Sequence, residues 1–350
     1  MNLPSLSVPG GPIIVSNSAD RATAQRAITD LFARFVYGPI PKAPDRVTIS
    51  RKPMAGTKVE HIRLDLGRFH VDVALWLPDS ETPAPLILGL DFLGPAGILT
   101  SNAFPLDPSA RIFARDSDGA PVDRLSESLR GTTAYRWPID LLRGAGFAVM
   151  TSCYGSWVPD CPTSWRDTGV FPLVRDDLTT ATGAISLWAW SIQRMIDAAE
   201  HLSEIDAMQV HVVGHSRLGK AALWASAHDP RIQSVFANQS GCLGAAPRVH
   251  PVGETVAQLQ QEFHHWSLNK PIPPQIDQHH LLALSAPRAV YLGQADADTW
   301  ADPHGSVAAL QAAAPFWLRD DPPIGHHIRS GGHDLLPEDW GHYLRFLQTL

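Results

Sequence analysis

The sequence predicts an α/β fold: a mostly parallel central sheet with helices on both faces, a three-layer sandwich. Two observations carry that reading. From residue 137 onward, helical and apolar strand-like segments alternate, the pattern of a parallel sheet buried on both sides. Within that alternation, residues 210–220 (Val-His-Val-Val-Gly-His-Ser-Arg-Leu-Gly-Lys) run from a β-branched apolar stretch through Gly214 and Ser216 toward the helix-forming Ala221-Ala222-Leu223-Trp224-Ala225. A strand, a sharp turn and a helix therefore meet at one serine.

The remaining elements follow in order. Residues 18–36 repeat Ala, Leu, Phe and Val at helical spacing. A Pro-rich turn at 39–44 precedes strands at 47–51, 58–66, 71–77 and 86–92. Residues 94–130 are rich in Gly, Pro and Asp with little periodicity, a length uncommon inside a compact domain unless it is functional. A helix at 138–144 leads into a buried strand at 147–152. A loop at 154–176 carries Trp157 and Trp165, and a helix at 184–203 precedes the strand that ends at Ser216. Farther on, the apolar run 289–293 opens into a loop holding Asp296, Asp298 and Asp302. Residues 328–334 (Ile-Arg-Ser-Gly-Gly-His-Asp) set His333 after paired glycines, ahead of a final helix at 337–350. No internal repeat or linker interrupts the chain, so 1–350 reads as one domain.

Composition narrows the function classes. A net charge of -7 without a basic stripe excludes nucleic acid as the main partner. Thirty scattered prolines point to rigid loops rather than a disordered tail. Most of the eleven tryptophans are expected to fill the core, with a few left for ligand contact. No stretch reaches the roughly 18 apolar residues of a membrane span. Residues 1–9 lack the basic and apolar regions of a signal peptide, which leaves the compartment open. Cys153, Cys161 and Cys242 form an odd set without zinc spacing; a Cys153–Cys161 disulfide and free buried thiols are both compatible with it. The histidine pairs 264–265, 279–280 and 326–327 are adjacent, so neither pair member shares a helix face with the other. Zinc sites need wider spacing and a third ligand. Neither metal nor cofactor is expected.

The chemistry centres on Ser216. Glycines beside it permit a turn tight enough to lift the hydroxyl clear of the backbone, and the following helix presents free N–H groups to any negative charge formed there. A serine nucleophile needs a base, and the base needs an acid to fix its tautomer. The order Ser216, acid, His333 is that of the α/β-hydrolases, and a serine hydrolase is the expectation.

Residues 214–220, Gly-His-Ser-Arg-Leu-Gly-Lys, resemble the Gly-Cys/His-Ser-Arg-x-Gly-Lys signature of glucuronoyl esterases, carbohydrate esterase family 15. Tyr37-Gly38-Pro39-Ile40-Pro41, Arg136-Trp137-Pro138 and Tyr154-Gly155 with Pro159-Asp160 are similar to further family motifs. Ser240-Gly241-Cys242, Gly253-Glu254-Thr255-Val256, Asp277-Gln278-His279, Ala286-Pro287-Arg288 and Asp298-Thr299-Trp300-Ala301-Asp302-Pro303 resemble its bacterial branch. The resemblance covers most of the chain. It implies an α/β-hydrolase that cleaves the ester joining 4-O-methyl-glucuronic acid of xylan to lignin alcohols. A monomer without a membrane partner is the separate expectation.

Carried over by position, it implies Ser216 as nucleophile, His333 as base and Arg217 as an oxyanion holder. Lys220 and Glu254 would bond the sugar hydroxyls and Trp300 would flank the ring. One or both of His265 and Trp266, a His-Trp pair after Glu254, would approach the substrate. One departure stands out: where many members carry an acid before Ser-Gly-Cys, this chain has Gln239, which cannot hold charge. The acid must then come from the 296–302 loop. Asp298 is the choice because the family's alternative acid falls at its Asp-x-Trp motif. Asp296 follows on its spacing from Gly293, and Asp302 is third. Two other readings remain: an esterase for another acyl group, such as acetyl on xylose, and a carbohydrate-binding relative without activity, which only Gln239 supports.

Overall fold

The computed structural model describes residues 7–8, 11–12, 14–115, 119–178 and 180–350. Its strands of interest are, in chain order, β1 (Thr48–Pro53), β2 (Glu60–Asp65), β3 (His70–Trp76), β4 (Ala84–Asp91) and β5 (Ala148–Cys153). They continue with β6 (Ile205–His215), β7 (Ile232–Asn238), β8 (Ala289–Ala295) and β9 (Ile324–Arg329). All join one nine-stranded sheet, in the order β1-β2-β3-β5-β4-β6-β7-β8-β9. Pairings from β1 through β3 to β5 are antiparallel, and every pairing from β5 to β9 is parallel.

Side-chain burial follows from that division. On β2, Ile62 and Leu64 are buried while Arg63 and Asp65 are exposed, the alternation of a strand wet on one face. β5 and β8 are buried along their whole length, because helices cover both sides. Alternate residues enter opposite layers. Leu86, Leu88, Met150, Val212, Val235 and Leu292 join one core, and Ile87, Val149, Val213, Phe236 and Tyr291 join the other. The result is the expected three-layer sandwich.

The first core is covered by α1 (Ser18–Phe35) and, later in the chain, by two helices beside β6. Asn17 caps α1 by accepting from the N–H groups of Ala19 and Asp20, and the helix buries Ala24, Ile28 and Phe32 at a spacing of one turn. The opposite core is roofed by α2 (Ile139–Gly144) near the middle of the chain. The helices beside β6 are α3 (Ala184–Ala199) and α4 (Arg217–His228). α5 (Val256–Glu262) opens with a Thr255–Gln258 capping box, and α6 (Gln278–Ala283) follows. α7 (Pro303–Ala313) follows β8, and α8 (Pro337–Leu347) closes the second core with Trp340 and Tyr343.

The structure trims two expectations and adds a strand. α3 stops at Ala199 and α8 at Leu347, each about one turn short of its periodic pattern. β7, Ile-Gln-Ser-Val-Phe-Ala-Asn, is a run too short for periodicity to separate it from helix. The stretch 94–130 contains a helical turn at Pro95–Ile98 and a small hairpin pairing Ala114–Arg115 with Pro121–Val122. Of the eleven tryptophans only Trp300 is exposed, at 47%. Cys153, Cys161 and Cys242 are free thiols, so the disulfide alternative is not realised. No described helix is long and apolar enough to cross a membrane.

Candidate active site

β6 ends at His215, and the backbone reverses at Ser216 with φ 56° and ψ -127°. A non-glycine residue occupies that region only under constraint. The constraint is packing. A Cβ on Gly214 would lie 2.1 Å from the Leu218 carbonyl oxygen, and one on Gly219 would lie 2.9 Å from Ser240 Cβ. Glycine at both positions lets α4 start directly behind the serine, and the Ser216 N–H is tied to the Asn238 carbonyl at 2.9 Å. The hydroxyl therefore sits at the mouth of a helix N-terminus.

His333 arrives on the loop between β9 and α8. Its Nδ1 lies 2.6 Å from Asp298 Oδ2, a carboxylate only 5% exposed. The other two aspartates of the 296–302 loop are engaged elsewhere. Asp296 accepts from the Gly331 N–H at 2.9 Å and from Ser330 Oγ at 3.2 Å, latching the loop that bears His333. Asp302, in the left-handed region at φ 49°, caps α7 through the Gly305 N–H at 2.9 Å. With Nδ1 taken by Asp298, His333 keeps Nε2 for the cleft. That cleft has a volume of about 430 Å³, and Ser216, Arg217, His215 and His333 form its floor against Phe113, Tyr135 and Arg136.

Arg217 is buried in an unusual setting. Its guanidinium pairs with Asp160 at 2.5 Å and donates to the Phe113 carbonyl at 3.3 Å. Aromatic faces surround it, with Trp266, Phe92 and Phe113 ring centres at 4.6, 5.2 and 5.2 Å. Asp160 is fully buried and accepts three further bonds at 2.7 Å, from Tyr154 OH, His265 Nε2 and Trp266 Nε1. Burial pushes the Asp160 carboxyl up, but the Arg217 charge and the His265 and Trp266 bonds outweigh it and hold the group below the usual carboxylate range.

This arrangement accounts for two residues expected near the substrate. His265, with a side chain 0% exposed, and Trp266, 4% exposed, both bond Asp160, and neither lines the cleft that holds Ser216. Both turn inward because a buried carboxylate needs donors, and they support Arg217 through its counter-ion. Sequence reasoning passes over Asp160 and Tyr154 as site residues, although both lie in motifs of the resemblance.

Lys220, Glu254 and Trp300 form a second linked group. Lys220 Nζ donates to the Ser240 carbonyl at 2.8 Å and to Glu254 Oε2 at 3.0 Å. The other Glu254 oxygen accepts from Trp300 Nε1 at 3.3 Å. Lys220 and Glu254 are buried, while Trp300 presents its indole to solvent. None of the three lines the 430 Å³ cleft. Gln239 braces the loop of His333, since its Oε1 accepts the Asp334 N–H at 2.9 Å. Among the described residues no cluster suited to a metal ion occurs.

A serine at the apex of a strand–turn–helix, on a mostly parallel sheet flanked by helices, is the architecture of the α/β-hydrolases. Residues 144–319 match the family model described as "Glucuronyl esterase, fungi". Within that class the chain therefore belongs to the glucuronoyl esterase family, carbohydrate esterase family 15, and is a carboxylic ester hydrolase. Carbohydrate esterase MZ0003, from an unknown prokaryotic organism, is 30% identical, covering 91% of this chain and 82% of its own. 4-O-methyl-glucuronoyl methylesterase 1 of Phanerochaete chrysosporium is 27% identical over 85% of this chain, which spans 58% of that longer protein. Among solved structures, a promiscuous CE15 esterase from a marine bacterial metagenome superposes with TM-score 0.85 at 29% identity, covering 99% and 96% of the two chains. The glucuronoyl esterase from Solibacter usitatus superposes with TM-score 0.84 at 29% identity, covering 99% and 97%.

Proposed function

We propose that this esterase hydrolyses the bond between (4-O-methyl-)glucuronic acid of xylan and a lignin alcohol, through an acyl-enzyme on Ser216. The observation that carries the reading is one cleft holding Ser216, Arg217 and a His333 whose Nδ1 is already engaged by Asp298. In the first half-reaction His333 Nε2 takes the Ser216 proton as Oγ attacks the uronyl carbonyl. Negative charge then develops on the carbonyl oxygen, beside the Arg217 guanidinium and the α4 N-terminus. Fixed positive charge, already held in place, stabilises that oxyanion without reorganising. The tetrahedral centre collapses, the alcohol departs with the proton from His333, and the uronyl group stays on Ser216. Water, deprotonated by His333, reverses the sequence and releases the uronic acid. Asp298 holds the imidazole tautomer throughout and offsets the imidazolium charge.

Lys220, Glu254 and Trp300 favour a uronate over a small acyl group. The first two offer a charged donor and acceptor to ring hydroxyls, and the exposed indole offers a face to the pyranose. A second reading, ester hydrolysis of broader scope that includes acetyl groups, is favoured by one observation: those three residues stand outside the cleft that holds Ser216. Hydrolysis of benzyl or methyl glucuronate measured beside acetylated xylan decides between them. The uronate reading expects kcat/KM to be higher on the glucuronate esters, and comparable or reversed values would replace it with the second.

A further inference from the structure

Asp334, the residue after His333, is gripped from every side. Its N–H donates to Gln239 Oε1 at 2.9 Å, and its carboxylate accepts from Arg136 Nε at 2.6 Å and Tyr135 OH at 2.9 Å. Its carbonyl accepts from Arg329 at 2.7 Å and from Asn238 Nδ2 at 2.9 Å. The last contact settles the orientation of the Asn238 amide, because a carbonyl can only accept and so must face nitrogen.

The same nitrogen lies 2.9 Å from His215 Nδ1. An amide nitrogen can only donate, so Nδ1 of His215 accepts, and the ring proton sits on Nε2. Protonating His215 would require breaking this bond. Burial pushes His215 well below the ordinary histidine value, and the neighbouring charges of His333, Arg136 and Arg217 push the same way. His215 also lies against His333, with ring centres 4.6 Å apart, and lines the cleft beside Ser216. Asn238 ends β7 between two strands of the sheet, so one side chain ties the residue before Ser216 to the residue after His333.

We propose that Asn238 and His215 are positioning residues of the esterase site: Asn238 couples the loop of the base to the strand end of the nucleophile and locks His215 as a neutral ring on which His333 is seated. The inference rests on reading Ser216 and His333 as nucleophile and base. Its physical content is charge as well as position. A second imidazole in contact with His333 would compete with it for a proton whenever both could ionise, and the tautomer lock removes that competition.

Asn238→Asp tests the lock with no change in size. A carboxylate repels the Asp334 carbonyl and recruits a proton onto His215 Nδ1. On benzyl glucuronate, kcat should fall about 10- to 100-fold with KM little changed, and the acid limb should move to higher pH. Nitrogen NMR of the full chain with labelled histidines should show wild-type His215 as the Nε2–H tautomer, silent through the neutral range, and titrating in the variant. His215→Leu, which offers Asn238 no acceptor, should lose rate, and His215→Gln, which restores one without a titratable ring, should recover most of that loss. An Asn238→Asp enzyme with the wild-type pH profile, equal losses in Leu and Gln variants, or a wild-type His215 protonated on Nδ1 would each overturn the proposal. If the wild type hydrolysed neither benzyl glucuronate nor p-nitrophenyl acetate, the proposed function would fall instead, and the NMR tautomer would still judge the lock.

Discussion

The two sides of the cleft are built on opposite plans. On the side proposed to hold the oxyanion, Arg217 is buried against a buried carboxylate and enclosed by aromatic rings, and Asp160 takes bonds from four side chains. On the side of the proposed base, His333 is 38% exposed on a loop, held by one carboxylate at Nδ1 and by backbone clamps around it. The first side is fixed by the cost of leaving any member of a buried charge cluster unpaired. The second is fixed at its anchors while its ring stays accessible. A group that must hold charge without moving suits burial, and one that must pass protons to and from an incoming alcohol or water suits exposure.

The strongest test of this contrast is the nucleophile between the two sides. Ser216→Ala is expected to lower the ester hydrolysis rate by roughly 10⁴-fold or more while the circular dichroism spectrum stays that of wild type. Retention of a tenth of the rate would place the nucleophile elsewhere.

Next comes the base side. Asp298→Asn keeps size but presents an amide that favours the wrong imidazole tautomer, so kcat should drop by roughly 10²- to 10⁴-fold. Asp296→Asn touches only the latch to Gly331 and Ser330 and should cost much less. Comparable kinetic losses in the two variants would mean that the acid is not assigned by the contact to His333 Nδ1.

The oxyanion side should answer in stability as well as rate. Asp160→Asn leaves Arg217 charged, buried and unpaired, at an expected cost of about 3–5 kcal/mol in urea unfolding. The pH dependence has a definite sign. The Asp160 carboxyl is held low in the fold, so its stabilisation is fully present above the unfolded value, about 3.9, and declines only as pH falls below that toward the folded value. An Asp160→Asn protein should therefore show a flatter loss of stability on acidification. Matching acid profiles for variant and wild type would show that the pairing carries no such linkage.

The smallest change is expected at Gln239. Glutamate keeps the acceptor for the Asp334 N–H and removes an amide nitrogen that has no partner among the described residues. It adds a buried charge near His333. Gln239→Glu should be tolerated and should restore part of the rate lost in Asp298→Asn. No recovery in the double variant would show that a carboxylate at 239 does not sense the imidazolium.

Much of the fold is legible along the chain because its signals are local. The alternation of helix and apolar strand needs only a window of residues, and so does the Gly214–Ser216–Gly219 turn, where Gly214 packs against the Leu218 carbonyl four positions on. Less legible are β7, which is too short to show a period, and the ends of α3 and α8, where Leu202 and Leu350 prolong the apolar pattern past the last helical turn, the first buried and the second exposed.

Sequence by itself determined the sheet class, the serine at the strand–helix apex and a histidine on a glycine-flanked loop, since each follows from backbone preferences of adjacent residues. Only the tertiary structure decided which of three aspartates meets His333, for all three share one loop and differ in where the fold points them. It also turned His265 and Trp266 inward. Asp160 reaches Arg217 across 57 positions and His265 across 105. A carboxylate taken out of water must collect its donors wherever the packed chain supplies them, and separation along the sequence holds no record of that demand.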